Sequence, residues 1–214
     1  MTPLLNHHGA TLIEQLVALA LGSVMMTTLF SYFRSEAVYL RTLETKIATM
    51  EDARGALDIM IRDVKNAGSW GTGSAPAETG AADDPDGDAD AVCNRVYAAT
   101  STRLHVQMDL NGNGNCADTE PRESIRYELT GPTSTCAGTT IIRRNGDCLV
   151  ANIVIGPNPL FGYFDAGGNN LGSTPNPAAI RRVRIGFSVQ VKNPDGRVGG
   201  NLTTALSSSV ELRN

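Results

Sequence analysis

Asp109, Asn111, Asn113, Gly114 and Glu120 fall at positions 1, 3, 5, 6 and 12 of the loop pattern in which oxygen ligands wrap a calcium ion. The chemistry would be ligation by about six to eight hard oxygens, with Gly114 letting the backbone turn sharply around the ion. Only Asp109 and Glu120 bring carboxylates to this set, Cys116 lies inside the loop, and no helix-period segment flanks it. The same residues serve equally well as an Asn-Gly hairpin turn, so calcium stands as the candidate cofactor beside a purely conformational reading. A second oxygen-rich run, Asp83 to Asp90, reads as a solvated acidic loop that could also take a cation.

Catalytic chemistry finds little to work with. Apart from His7 and His8 near the N-terminus, His105 is the only histidine, and any Ser-His or Cys-His pair would have to use it. It sits in the alternating run Arg103–Asp109 and reads as a packing or surface residue. The pieces Gly112-Asn113-Gly114 and Gly167-Gly168 lack the strand-to-helix setting of a phosphate loop, and the cysteines are spaced too widely for zinc pairs. Arg181, Arg182 and Arg184, with Arg143 and Arg144, could attract an anion, but alternation puts Arg182 and Arg184 on one strand face, as a solvated sheet surface would have them. A net charge of −4 opposes bulk attraction to nucleic acid, and no direct nucleic-acid binding is expected. The expectation is a protein that is not an enzyme.

The remaining chemistry-bearing residue is Glu14, a lone acid at the front of an apolar segment. From Leu16 to Phe33 no residue is charged. As a helix this stretch would be about 27 Å long, close to the hydrocarbon thickness of a bilayer. An acid at the edge of such a segment is costly in lipid and awaits a partner. An ordinary signal peptide needs no such acid, and would require a small-residue cleavage site where Leu21-Gly22-Ser23 offers a poor one. Beyond Phe33 charges appear, while Leu40, Leu43, Ile47, Met50, Leu57, Ile61 and Val64 recur at helical spacing, interrupted by Arg54. With no proline between the halves, one helix is predicted from about Ala10 to Asn66, roughly 85 Å long, ended by Ala67-Gly68. Its second half must carry a core on the apolar stripe.

After Gly68 the chain changes character. Gly, Pro, Asn, Asp, Ser and Thr abound, aromatic content is 5%, and alternation predicts short antiparallel strands at Arg103–Asp109, Ser124–Leu129, Thr139–Arg144, Cys148–Ile155, Ile180–Val191 and Ser207–Leu212. Asn145-Gly146-Asp147 is a hairpin turn signal. No helical segment alternates with these strands, which excludes a parallel α/β sheet. All four cysteines lie in this half, and in an exported protein an even number favours disulfides. Four cysteines allow three pairings. Cys136–Cys148 would staple a local hairpin, leaving Cys93–Cys116; free buried thiols are the alternative.

Gly9, Thr11, Leu12, Ile13 and Glu14 together resemble the type IV prepilin signature, with Ala10 where that family usually places Phe. The order of Asp109-Leu110-Asn111-Gly112, Ile125-Arg126-Tyr127, Ile142-Arg143-Arg144, Phe161-Gly162-Tyr163-Phe164-Asp165, Ile180-Arg181-Arg182-Val183-Arg184-Ile185 and the ending Ser209–Asn214 is similar to PilW-type minor pilins, relatives of the J-type minor pseudopilins of type II secretion. The resemblance implies an α+β lollipop: a cleaved leader (1–9), a transmembrane and assembly half of the long helix (10–33), an amphipathic half (34–67), and a periplasmic antiparallel β-sheet head (68–214) packed on it. It implies cleavage between Gly9 and Ala10 by prepilin peptidase, N-methylation of Ala10, and pairing of Glu14 with a neighbouring subunit's terminal amine. The partners would be other minor pilins, the major pilin and the inner-membrane assembly platform. The protein would sit in the bacterial inner membrane and then in a cell-surface pilus, priming its tip for adhesion, twitching motility or DNA uptake. A minor pseudopilin of type II secretion is the alternative within the superfamily, and a membrane-anchored periplasmic calcium-binding module the alternative outside it.

Overall fold

No proline falls between Leu12 and Asn66, and Ala, Leu, Met, Glu, Lys and Arg dominate the stretch, so nothing stops a helix from propagating once nucleated. In the computed structural model, which describes residues 11–71, 75, 93–114, 122–192 and 200–213, α1 runs Leu12–Asn66, a single helix of 55 residues. It ends where Gly68 takes a left-handed backbone (φ 76°) and donates its N–H to the Gln107 carbonyl at 2.9 Å. A Cβ there would also lie 2.8 Å from Arg95 Cδ, a second reason for glycine.

The chain divides into two compact units. One holds the helix through Thr45; the other begins at Lys46 and contains all the strands. Within the second unit the buried helix residues are Ala53, Ala56, Leu57, Met60, Asp63 and Val64. This corrects the apolar stripe expected from sequence. Arg54 does not interrupt it, because the buried line passes through Ala53 and Ala56, and Arg54 points to solvent. Leu40 and Ile47 are exposed and Ile61 is only half-buried. Leu57 and Val64 of the expected stripe are buried, and Ala53 and Ala56 join them because alanine is small enough to let the helix backbone approach a sheet closely.

The strands form two antiparallel sheets, where one was expected. The first is a meander in sequence order: β1 (Val96–Ala99), β2 (Arg103–Gln107), β3 (Ser124–Thr130), β4 (Ile141–Arg144) and β5 (Asp147–Ala151). In the second, β8 (Arg182–Lys192) pairs along one edge with β6 (Ile153–Val154) and β7 (Phe161–Phe164), and along the other with β9 (Asn201–Glu211). The run Cys148–Ile155, expected as one strand, is cut at Asn152, which takes a left-handed backbone (φ 57°) and passes the chain from the first sheet to the second. The β4–β5 turn has Asn145 at φ 49° and Gly146 at φ 92°, as a two-residue hairpin of matching twist requires. Asn145 also caps β3: its side-chain oxygen accepts from Arg126 N–H at 2.6 Å.

One core joins these elements, with Met60 and Val64 of α1 packed among Leu104, Ile125, Phe161 and Ile185 from both sheets. Fully buried Tyr163 ties the sheets together, its hydroxyl lying 2.7 Å from the Thr100 carbonyl and 3.0 Å from that of Arg103.

Candidate functional site

Three places bring chemistry-bearing residues together: the start of α1, the loop after β2, and a buried polar cluster beneath the helix. At the start of α1, the Glu14 N–H donates to Thr11 Oγ1 at 3.3 Å and the Thr11 N–H donates to Glu14 Oε2 at 3.4 Å. This reciprocal capping box satisfies two of the N–H groups that a helix start leaves unpaired. Thr11-x-x-Glu14 is the sequence signature of that motif, so this function of Glu14 is legible in the sequence. Gly9 and Ala10 lie outside the described residues.

Beyond the cap the helix exposes Leu12, Ile13, Leu16, Val17, Phe30 and Phe33 among other large apolar side chains. Its serine and threonine hydroxyls from Ser23 to Ser31 are satisfied within the helix. Ser23 donates to the Ala20 carbonyl at 2.8 Å, Thr27 to Ser23 at 2.7 Å, Thr28 to Met25 at 2.8 Å and Ser31 to Thr28 at 2.8 Å. A hydroxyl left unpaired in hydrocarbon costs about 2–7 kcal/mol, so back-bonding suits this segment to lipid. With a mean hydropathy of 1.8 over its most apolar window, the helix is long and apolar enough to cross a membrane.

In the loop after β2, both oxygens of Asp109 accept backbone N–H groups: Oδ1 from Gly112 at 2.7 Å and Oδ2 from Gly114 at 3.1 Å. Asn111 Oδ1 accepts from Asn113 N–H at 2.8 Å. Glu123, which the sequence pattern did not single out, enters the same loop: its Oε1 accepts from Leu110 N–H at 2.8 Å and Asn111 N–H at 2.9 Å. Glu120 lies outside the described residues. Among the described residues no three of His, Cys, Asp and Glu cluster as a ready metal site.

The third place was invisible in the sequence. Asp63, on the buried face of α1, accepts from the Tyr127 hydroxyl at 2.5 Å and from Arg144 Nε at 2.8 Å, both on its Oδ2. The cluster pins the helix to β3 and β4. Burial raises the Tyr127 pKa, and the Asp63 charge and hydrogen bond raise it further against the opposing pull of Arg144. Burial alone lowers the Arg144 pKa, but the hydrogen bond and charge of Asp63 outweigh it and the net shift is upward. Burial also raises the Tyr163 pKa. Unfolded tyrosine titrates near pH 10. Below that the stabilisation from these two phenols is complete; above it only the unfolded chain sheds the protons, so stability falls as pH rises. In an ultraviolet phenolate titration we expect Tyr127 and Tyr163 to ionise only as the fold melts. Five smoothly titrating phenols in the folded protein would refute that.

Arg144 is thus an internal partner, Arg143 donates to the Gly146 carbonyl, Arg181 donates to Ala178 O at 2.8 Å, and Arg182 and Arg184 lie over the Phe164 ring at 4.8 and 5.6 Å. The arginines therefore do not converge on a common anion site. His105 is buried and hydrogen-bonded to Ser124 Oγ at 2.7 Å, edge-on to Tyr97, in a packing role. Cys136 and Cys148 are joined, with Cα atoms 5.6 Å apart. Cys93 is buried and disulfide-bonded too; Cys116, its expected partner, lies outside the described residues. Compared with known proteins, the chain matches no family model, no curated protein and no solved structure.

Proposed function

We propose that this protein is a minor pilin of a type IV pilus, a structural subunit held in the inner membrane by α1 until it joins a filament or priming complex. The carrying observation is the surface of α1 from Leu12 to Phe33: predominantly apolar on every side, exposed, with its serine and threonine hydroxyls from Ser23 to Ser31 bonded inward and a single acid at its head. Water is a poor solvent for such a surface, and two environments suit it. One is lipid; the other is a sheath of like helices from other subunits. A subunit that moves from membrane to filament needs a helix acceptable to both. Glu14 then selects register, because a charge in that sheath is tolerated only opposite a counter-charge such as a neighbour's terminal amine. By the resemblance of its N-terminal motif, prepilin peptidase cuts between Gly9 and Ala10, other minor pilins and the major pilin are its partners, and its work is to help start assembly.

Mass spectrometry of the protein purified from its native membrane tests this. We expect a mature chain beginning at methylated Ala10. A chain that keeps Met1–Gly9, or one that has lost the apolar helix altogether, overturns the proposal.

A further inference from the structure

We propose that the loop after β2 binds a calcium ion through Asp109 and Glu123, with Glu123 in the role that sequence spacing gave to Glu120. Glu123 is 3% exposed and Asp109 is 1% exposed. Glu123 Oε1 is held by the Leu110 and Asn111 N–H groups, which fixes the carboxylate within the loop. Its other oxygen, Oε2, is buried and has no hydrogen-bond partner. Neither acid forms an ion pair with Lys, Arg or His among the described residues.

Two buried acids held against the same Asp109–Gly114 backbone, with no counter-cation among the described residues, are costly, and a carboxylate oxygen with no partner is costlier still. The unused acceptor capacity is specific. Both lone pairs of Glu123 Oε2 are unengaged, and each Asp109 oxygen, taking one N–H, keeps another. The donors on offer are all hard oxygens, which suits calcium and disfavours zinc, with its preference for nitrogen and sulfur. The loop is also braced from outside. Asp109 N–H donates to the Ser69 carbonyl at 2.9 Å, and Trp70 forms a β-bridge with Asp109. Gly71 packs so closely that a Cβ there would come 2.5 Å from Gly112 Cα. The Asp109–Gly114 segment, braced along one side by Ser69-Trp70-Gly71, needs little ordering when an ion arrives.

Trp70 is the only tryptophan, so the protein carries its own reporter. Terbium, a calcium-sized lanthanide, emits when a nearby indole transfers energy to it. In a chelator-treated sample of the full chain in detergent micelles, we expect terbium to give indole-sensitised emission that calcium displaces and magnesium does not. Calcium alone should raise the melting temperature. Glu123→Gln should weaken calcium binding by about tenfold or more, since affinity follows the ligand charge count. Glu211→Gln, on β9, should leave it unchanged. Absence of sensitised emission from the wild-type chain overturns the proposal, whatever the variants do. So does emission that calcium cannot displace, or equal calcium affinity in folded Glu123→Gln, which would place the ion elsewhere, for instance in the acidic run Asp83–Asp90.

Discussion

Asp63→Ala should lower the melting temperature of the β-rich unit by roughly 5–15 °C. The carboxylate it removes is the shared acceptor of the Tyr127 hydroxyl and Arg144 Nε. Tyr127 is fully buried, so its hydroxyl cannot turn to water and loses its bond outright. The Arg144 side chain keeps 29% of its exposure and can recover part of its hydration, which holds the loss below that of a fully buried pair. Together these give about 2–4 kcal/mol, and a unit of this size loses about 2–4 °C per kcal/mol. Asp63→Asn, which keeps an acceptor for Tyr127 but no charge for Arg144, should fall between wild type and alanine. Replacing all three residues with apolar ones of similar volume should restore much of the loss, because the cost lies in stranded polar groups and not in missing attraction. Thermal melts followed by circular dichroism decide it. A change of less than about 0.5 kcal/mol in Asp63→Ala would put that residue among ordinary surface positions.

The largest functional effect is expected at Glu14. Under the minor-pilin proposal, Glu14→Leu leaves membrane insertion intact and reduces assembly by about a hundredfold. Leaving a neighbour's amine without its counter-charge costs about 3 kcal/mol or more, and each 1.4 kcal/mol is tenfold. The capping box supplies a second role that must be separated from this one. Glu14→Gln keeps an acceptor for the Thr11 N–H but carries no charge. If Glu14 acts by charge, glutamine should fail nearly as badly as leucine. If its work is capping, glutamine should restore assembly and Thr11→Val should impair it. Filament counts by electron microscopy, alongside membrane fractionation of each variant, distinguish the two. Normal assembly in Glu14→Leu removes both roles.

Most of the secondary structure was written locally. The helix follows from an unbroken run without proline, and β8 from alternation that a half-buried strand imposes; β2 alternates in sequence but is buried from Leu104 to Gln107 on both faces. The β4–β5 turn follows from Asn145-Gly146, a pair suited to left-handed backbone. What stayed hidden needed the third dimension. Asp63 was passed over because an acid on an apolar stripe counts against burial until Tyr127 and Arg144, far away in sequence, are brought to it. Ala53 and Ala56 are buried although alanine's small apolar surface adds little to a helical hydrophobic pattern. The break between β5 and β6 falls at Asn152, whose left-handed backbone an asparagine permits without demanding. Glu123 lay three residues past the expected ligand, Glu120, and only folding showed that the loop closes on it. The capping pair at Thr11 and Glu14 is encoded locally, in the Thr-x-x-Glu spacing itself.

The outer rim of β9 carries a consequence for handling the protein. Among the described residues this eleven-residue strand pairs only with β8, so its far side offers a row of backbone groups to any extended chain that comes near. Its sequence carries little grease at the point of contact: Ser207-Ser208-Ser209 brings hydroxyls where valine or isoleucine would favour stacking. Swapping the exposed Ser207 and Ser209 for β-branched aliphatics should therefore raise the turbidity of a detergent-solubilised sample on standing, read by light scattering against the wild-type chain.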